Sequence, residues 1–179
     1  MAEKKLTGKR ILMVIPHTQF RDEEFFEPWK IFESEGATVT VASTAVRTCH
    51  GTKGGTVQSQ VTIADAKAED FDALVICGGP STPDFLWNDK ALPVLAAAMS
   101  AAGKVIAAIS LATVVLAKAK LLTGKKATVY FLPQAIQELK TGGATYVTEP
   151  MVVQEKLIMA EGPTESVRFG QAVSTALAS

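Results

Sequence analysis

The sequence predicts an α/β fold: a flavodoxin-like three-layer sandwich whose mostly parallel sheet carries helices on both faces. Three observations predict it. Short apolar runs bounded by turn residues recur at "RILMVIP" (10–16), "ATVTVAS" (37–43), "FDALVIC" (71–77) and "VIAAI" (105–109). Stretches of helical period separate most of these runs. The segment "AAISLATVV" (107–115) passes from a buried strand into a helix through Ser110, with Ala108 and Ala112 two places to either side. Small neighbours around one polar residue are what a nucleophile elbow requires, because the backbone folds back closely there.

The elements follow in order. Residues 10–16 read as the first buried strand. In "DEEFFEPWKIFESEG" (22–36), Asp22 is the expected N-cap, Phe25, Trp29 and Phe32 have helical spacing, and Gly36 is the stop. Pro28 inside that pattern predicts a kink or a helix start nearer to it. The second strand is β-branched. From Thr44 to Ile63 the chain is polar, and "TVQSQVTI" (56–63) alternates like a short antiparallel excursion. The third strand runs straight into Gly78-Gly79-Pro80. A helix over 86–103 is expected despite Pro93, with Gly103 as its end. The fourth strand leads through Ser110 into "LATVVLAKA". A fifth strand is expected at "ATVYF" (127–131), then a helix ending at Gly142-Gly143. "MVVQEKLIMAEGP" (151–163) reads as a strand pair, and "TESVRFGQAVSTALA" as a closing helix capped by Thr164. No repeat or low-complexity linker interrupts the pattern, so one domain over residues 1–179 is expected.

Composition narrows the function classes. Eighteen Lys and Arg balance eighteen Asp and Glu, which favours neither nucleic acid nor an anionic membrane. The apolar runs are too short to span a bilayer, and the basic start leads into a strand rather than a signal-peptide core. Cytoplasmic localisation is the expectation. Cys49 and Cys77 are too few for a disulfide framework or a cysteine-rich metal site, and Cys49-His50 has no further ligands at suitable spacing. No metal and no cofactor is expected. Gly78-Gly79 lacks the spacing of a dinucleotide fingerprint.

In an open parallel sheet, ligands bind outside the carboxyl ends of the strands near the point where strand order reverses. With a strand order of 2-1-3-4-5, the turn after the first strand ("HTQFRDEE"), the Gly78-Gly79 loop and Ser110 face one pocket. Ser110 projects from the elbow. The Leu111 amide opens a helix and can donate to an oxyanion, and the Gly79 amide is a second donor. Glu24 reaches across as general acid or hydrogen-bond partner; buried, its pKa rises and it can donate to the Ser110 oxygen. His17, at the same edge, is a candidate base. Plainer readings stand beside these. Ser110 alone is an ordinary helix N-cap, Glu24 a first-turn carboxylate, Gly78-Gly79 a strand end, His17 a loop histidine, and Cys77 an inert core thiol. Phe25, Phe26, Trp29 and Phe32 read as core or a subunit interface.

These motifs resemble the ThiJ/PfpI superfamily, which includes deglycases and intracellular proteases and shares the class I glutamine amidotransferase-like fold. "FRDEEFFEP" is similar to the family's first helix, where a glutamate lies four residues before a proline; that is Glu24 with Pro28. "LVICGGP" is similar to its glycine loop, residues 105–128 to its elbow segment, and "MAEGP" to its last strand. The resemblance implies an enzyme scaffold for small carbonyl or acyl compounds, with glyoxalase-III or deglycase-like chemistry, or amide hydrolysis or hydration. Ser110 then holds the nucleophile position, Glu24 is acid or base, and the Gly79 and Leu111 amides hold the oxyanion. Gly78, His17 and Tyr130 are pocket neighbours. A small-molecule partner and a homodimer or higher homo-oligomer are also implied, with the Cys49-His50 region near a subunit contact.

Two departures matter. Family enzymes have cysteine at position 110, and many carry histidine next to it or where this chain has Tyr130; here the elbow reads Ser110-Leu111-Ala112-Thr113. A serine hydroxyl needs a base where a thiol partly ionises unaided. The serine is consistent with an engineered replacement of cysteine, with a natural variant of impaired or altered chemistry, and with a non-catalytic, stress-related or small-ligand-binding member of the fold.

Overall fold

The structure is a computed structural model and describes residues 3–179. Its elements in chain order are β1 (Arg10–Val14), β2 (Thr18–Phe20), α1 (Asp22–Ser34), β3 (Thr38–Ser43), β4 (Thr48–Gly51), β5 (Thr56–Gln58) and β6 (Val61–Thr62). Then come β7 (Ala73–Ile76), α2 (Thr82–Phe85), α3 (Ala91–Ala101), β8 (Val105–Ile109), α4 (Thr113–Lys118), β9 (Lys126–Ala127) and α5 (Pro133–Thr141). The chain closes with β10 (Thr145–Tyr146), β11 (Met151–Gln154), β12 (Leu157–Ala160) and α6 (Ser166–Ala178).

One sheet organises the molecule, in the order β11-β12-β8-β7-β1-β3-β6. Every neighbouring pair in it is parallel except β11 with β12. The five central parallel strands therefore run 2-1-3-4-5 in chain order, as the sequence predicts. Alternate side chains of each strand enter opposite layers. Ile11, Met13, Ala73, Val75, Val105 and Ala107 pack with Phe25 and Phe32 of α1 and Phe169 and Val173 of α6. Leu12, Val14, Leu74, Ile76, Ile106 and Ala108 pack on the other side with Leu92, Leu95 and Met99 of α3, Val114 and Val115 of α4 and Leu139 of α5.

Four expectations change. The fifth parallel strand is Leu157–Ala160, buried along its whole length, and not 127–131. Val129 is buried but Tyr130 and Phe131 are exposed, so the β-forming residues of "ATVYF" lack the half-buried surface that such residues need. Lys126–Ala127 instead pairs with Thr145–Tyr146 in a separate two-stranded sheet. The helix expected over 86–103 begins only at Ala91, where the Asp89 carboxylate accepts the Ala91 and Leu92 amides at 3.0 and 2.8 Å. Pro93 thus falls in the first turn, where its missing N–H costs no intrahelical bond. Thr164 is not the cap of the closing helix: it lies in a 3-10 turn over Pro163–Glu165, and Ser166 Oγ donates to Pro163 O at 2.7 Å. Asp22 is the first residue of α1, not its cap; of the two expectations for Pro28, the start nearer to it is excluded, because the helix runs from Asp22 through Pro28 to Ser34.

Helices α1 and α6 approach at a glycine. A Cβ on Gly170 would stand 2.9 Å from both Pro28 Cα and Ile31 Cδ1. Alanine in a helix interior normally gains about 0.5–1 kcal/mol over glycine. Here it meets backbone, which does not yield as a flexible side chain does. We expect Gly170→Ala to destabilise the fold by roughly 1–3 kcal/mol in urea unfolding; a stabilised variant overturns this packing.

Candidate active site

Three turns meet at the carboxyl edge of β1, β7 and β8. Ser110 stands at the first, between β8 and the 3-10 turn Ser110–Ala112 that opens α4. Its φ is +63°, a left-handed conformation that costs an L-residue about 1–2 kcal/mol. Such backbone persists where the surroundings over-determine it, often at functional sites. The surroundings here are specific. Trp87 Nε1 donates to Leu111 O at 2.8 Å, Thr113 N to Ser110 O, and Ala108, Ala112 and Val114 are fully buried. The Ser110 residue is 4% exposed, at the floor of an opening described below.

The second turn is Gly78-Gly79-Pro80. Gly79 has φ +143°, and a Cβ there would lie 2.8 Å from Arg21 N and 2.9 Å from Phe20 Cα and would strike Gln19 O. Only glycine fits, so the loop closes directly on the first turn. Gly79 O accepts from Thr82 N and Thr82 Oγ1, at 3.1 and 2.8 Å, while the Gly79 amide donates to no acceptor among the described residues. Gly78 is tight but less crowded: a Cβ would be 3.0 Å from Glu24 Oε2 and from Ile109 O and 3.1 Å from Ser110 Cβ, so these neighbours would have to give way slightly.

The third turn brings Glu24, 1% exposed, from the first turn of α1. The Gly78 amide donates to its Oε2 at 2.8 Å, and Arg21 N donates to Gly78 O at 2.9 Å, so loop and helix are tied twice. Oε1 is buried and has no partner of hydrogen-bond geometry among the described residues. Burial pushes the Glu24 pKa from its ordinary 4.5 to about 8; the Gly78 amide, the nearby Ser110 hydroxyl and Arg21 pull it down, but by less. Burial also raises the Cys77 thiol, and the neighbouring Glu24 adds to that. Cys77 is fully buried among the residues facing α1 and α6.

Three consecutive carboxylates thus have three fates. The Asp22 oxygens accept the Lys53 and Gly55 amides, each at 2.8 Å, and clasp the turn between β4 and β5. Glu23 accepts Arg21 Nε at 2.9 Å and pairs with Lys53 Nζ. Although burial pushes Glu23 upward, the Lys53 bond, its backbone amide and Arg21 bring its pKa below the usual value. Glu24 alone turns inward.

A cavity of about 280 Å³ opens above Ser110, lined by Arg21, Gly79, Pro80, Ser110, Leu111, Tyr130, Leu132 and Pro163. Of the sequence candidates, Ser110, Gly79, Leu111 and Tyr130 line it, while Gly78 and Glu24 lie beneath and shape it. His17 is not among the lining residues: its ring lies edge-on to Phe85, with centroids 4.2 Å apart, and Nδ1 is 3.5 Å from Thr44 Oγ1. Burial and then Arg47 lower its pKa. His50 is exposed on β4, paired with Thr18 of β2. No histidine therefore lines the cavity. Larger recesses lie elsewhere, including one of about 540 Å³ around Lys104, Lys125 and Lys156, but none contains the elbow. Of the other lining residues, Arg21, Pro80 and Pro163 stand inside the motifs "FRDEEFFEP", "LVICGGP" and "MAEGP" without a role of their own, and Leu132 lies outside any motif. Leu132 and Pro163 come from segments remote in the chain, which only the folded structure brings beside Arg21. Among the described residues, no three or more His, Cys, Asp or Glu are grouped to hold a metal ion, and no helix is long and apolar enough to cross a membrane.

Residues 9–176 match the DJ-1/PfpI family. An uncharacterised protein of Methanocaldococcus jannaschii is 42% identical over 174 residues, covering 97% of this chain and 85% of that protein. A Pyrococcus horikoshii protein named a deglycase is 29% identical over 154 residues, 86% of this chain and 91% of its own. The crystal structure of a ThiJ/PfpI domain protein from Brachyspira murdochii superposes with a TM-score of 0.89 at 34% identity, covering 95% of this chain and 98% of that one. The chain, with its elbow, its glycine loop and its inward glutamate, belongs to the DJ-1/PfpI family.

Proposed function

We propose that this chain is an enzyme scaffold for small carbonyl or acyl compounds, of the glyoxalase or deglycase type, whose covalent step is disabled by the residue at the elbow. The observation that carries the reading is the strained backbone at Ser110, which aims a side chain into a small cavity directly above a buried carboxyl. An incoming carbonyl oxygen meets the unbonded Gly79 amide and the Leu111 amide, the latter ahead of the first intrahelical bond. A sulfur nucleophile at position 110 would add to the carbonyl carbon, and protonated Glu24 would supply the proton to the oxygen.

With serine the balance fails. Addition of the hydroxyl requires a base to take its proton. No imidazole lines the cavity, and Glu24 is mostly protonated at neutral pH. It becomes an acceptor only above about pH 8, so residual serine reactivity should rise with pH through that value. The same two facts favour a second reading, in which this chain binds its ligand without turnover. A homo-oligomer, implied by the family resemblance, belongs to either reading.

Ser110→Cys separates them. Methylglyoxal consumption should rise by about 10²-fold or more over the serine chain, and intact mass followed by peptide mapping should place an adduct on the introduced thiol alone. If neither protein reacts while both bind small acyl compounds, the non-catalytic reading replaces the first. In the cysteine background, Glu24→Gln should lower the rate by roughly 10²-fold; an unchanged rate removes the carboxyl from the chemistry.

Glu24 also leaves a trace in stability. A carboxyl with a raised folded pKa binds its proton more tightly folded than unfolded, so stability is lost as pH rises from about 4.5 to about 8. A glutamine in its place does not titrate. The melting temperature of Glu24→Gln relative to the parent should therefore climb across that window and level off above it; a constant difference contradicts a buried, neutral Glu24.

A further inference from the structure

We propose that Arg21 makes this cavity selective for a small carboxylate bearing a neighbouring carbonyl, a 2-oxo acid, over neutral carbonyl compounds. The inference rests on reading the cavity as the ligand site, but not on turnover. Arg21 is the one charged residue among its lining residues, the remainder being Gly79, Ser110 and the apolar or aromatic Pro80, Leu111, Tyr130, Leu132 and Pro163. A site of this kind fixes its ligand through few polar groups against an apolar wall.

The guanidinium is held for that task. Nε donates to Glu23 Oε2 at 2.9 Å, and Lys53 Nζ holds the same carboxylate from the far side. The Arg21 amide is fixed to Gly78 O. Neither Nη makes a hydrogen bond among the described residues, so two parallel donors remain for a carboxylate, the geometry that arginine offers and lysine does not. Glu24 beneath is largely uncharged at neutral pH and does not compete for the guanidinium. A carboxylate on Arg21 leaves the adjoining oxo group toward Ser110 and the unbonded Gly79 amide. In the larger recess around Lys104, Lys125 and Lys156, by contrast, two of the three ammonium groups are already engaged: Lys104 donates to Ala68 O and Lys156 to Gly103 O, the latter at 2.7 Å.

The test uses the full chain, with Ser110 in place, and titrates pyruvate against methyl pyruvate, its neutral ester, by ligand-observed NMR or calorimetry. Pyruvate should bind at least about tenfold more tightly than the ester. Arg21→Gln should weaken pyruvate by roughly ten- to a hundredfold and leave the ester unchanged; Arg21→Lys should keep part of the preference. Glu23→Gln, which frees the guanidinium without removing it, should weaken pyruvate less. An unchanged melting temperature shows that each variant is folded. Equal affinities for the two probes, pyruvate binding indifferent to Arg21→Gln, or no pyruvate binding at tens of millimolar each overturn the proposal. Arg21-dependent binding in a chain whose Ser110→Cys form turns over no carbonyl sustains it and discards the enzymatic reading. Turnover of neutral glyoxals without charge preference does the reverse.

Discussion

The site depends on a carboxyl kept out of water. Glu24 lies in the first turn of α1, yet it faces the carboxyl end of the sheet and not solvent, with one oxygen on the Gly78 amide and the other unpaired. An unpartnered buried carboxylate is costly, and the less costly state is the protonated acid. That preference ties three elements together. The glycine loop must come close enough to donate, which excludes any side chain at 79 and leaves little room for one at 78; the elbow must turn over the remaining oxygen; and the first helix must enter the sheet edge at a fixed height. Each requirement is local in sequence and joint in space.

The elbow supplies the complementary constraint. Its left-handed residue stores conformational energy that glycine would not, and a burial shell of small alanines and a tryptophan hydrogen bond hold it. The scaffold maintains this arrangement although the side chain it presents is a poor nucleophile without a base. Geometry and reactivity are separable here: the backbone determines where an attacking atom stands, and the residue type determines whether it attacks.

Much of this was readable from sequence. The order of apolar runs and helical stretches implied the 2-1-3-4-5 arrangement, and with it the meeting of Ser110, Gly79 and Glu24, because parallel strands leave little choice about which loops share an edge. Composition hid other things. Asp22, Glu23 and Glu24 are indistinguishable by type; the family resemblance singles out Glu24, and the surroundings assign Asp22 to a hairpin turn, Glu23 to an ion pair and Glu24 to the interior. Tyr130 and Phe131 promised a strand by propensity, but tertiary packing chose "LIMA" for the fifth place and left those aromatics at the surface. Arg21 stands inside the first-helix motif without a role there, since what sets it apart is being the one charged residue on the cavity wall, which only the fold shows.

The clasp at Asp22 reaches further than its own turn. Gly51 and Gly55 leave no room for a side chain against that carboxylate, so the β4–β5 hairpin is pressed onto the start of α1, and its Lys53 grips the glutamate that steadies Arg21. A hairpin that contributes nothing to the cavity wall thereby governs the pose of the cavity's cation. Substitutions out there would reach the cavity at a distance, shifting its one charged side chain while the elbow and the buried carboxyl keep their places.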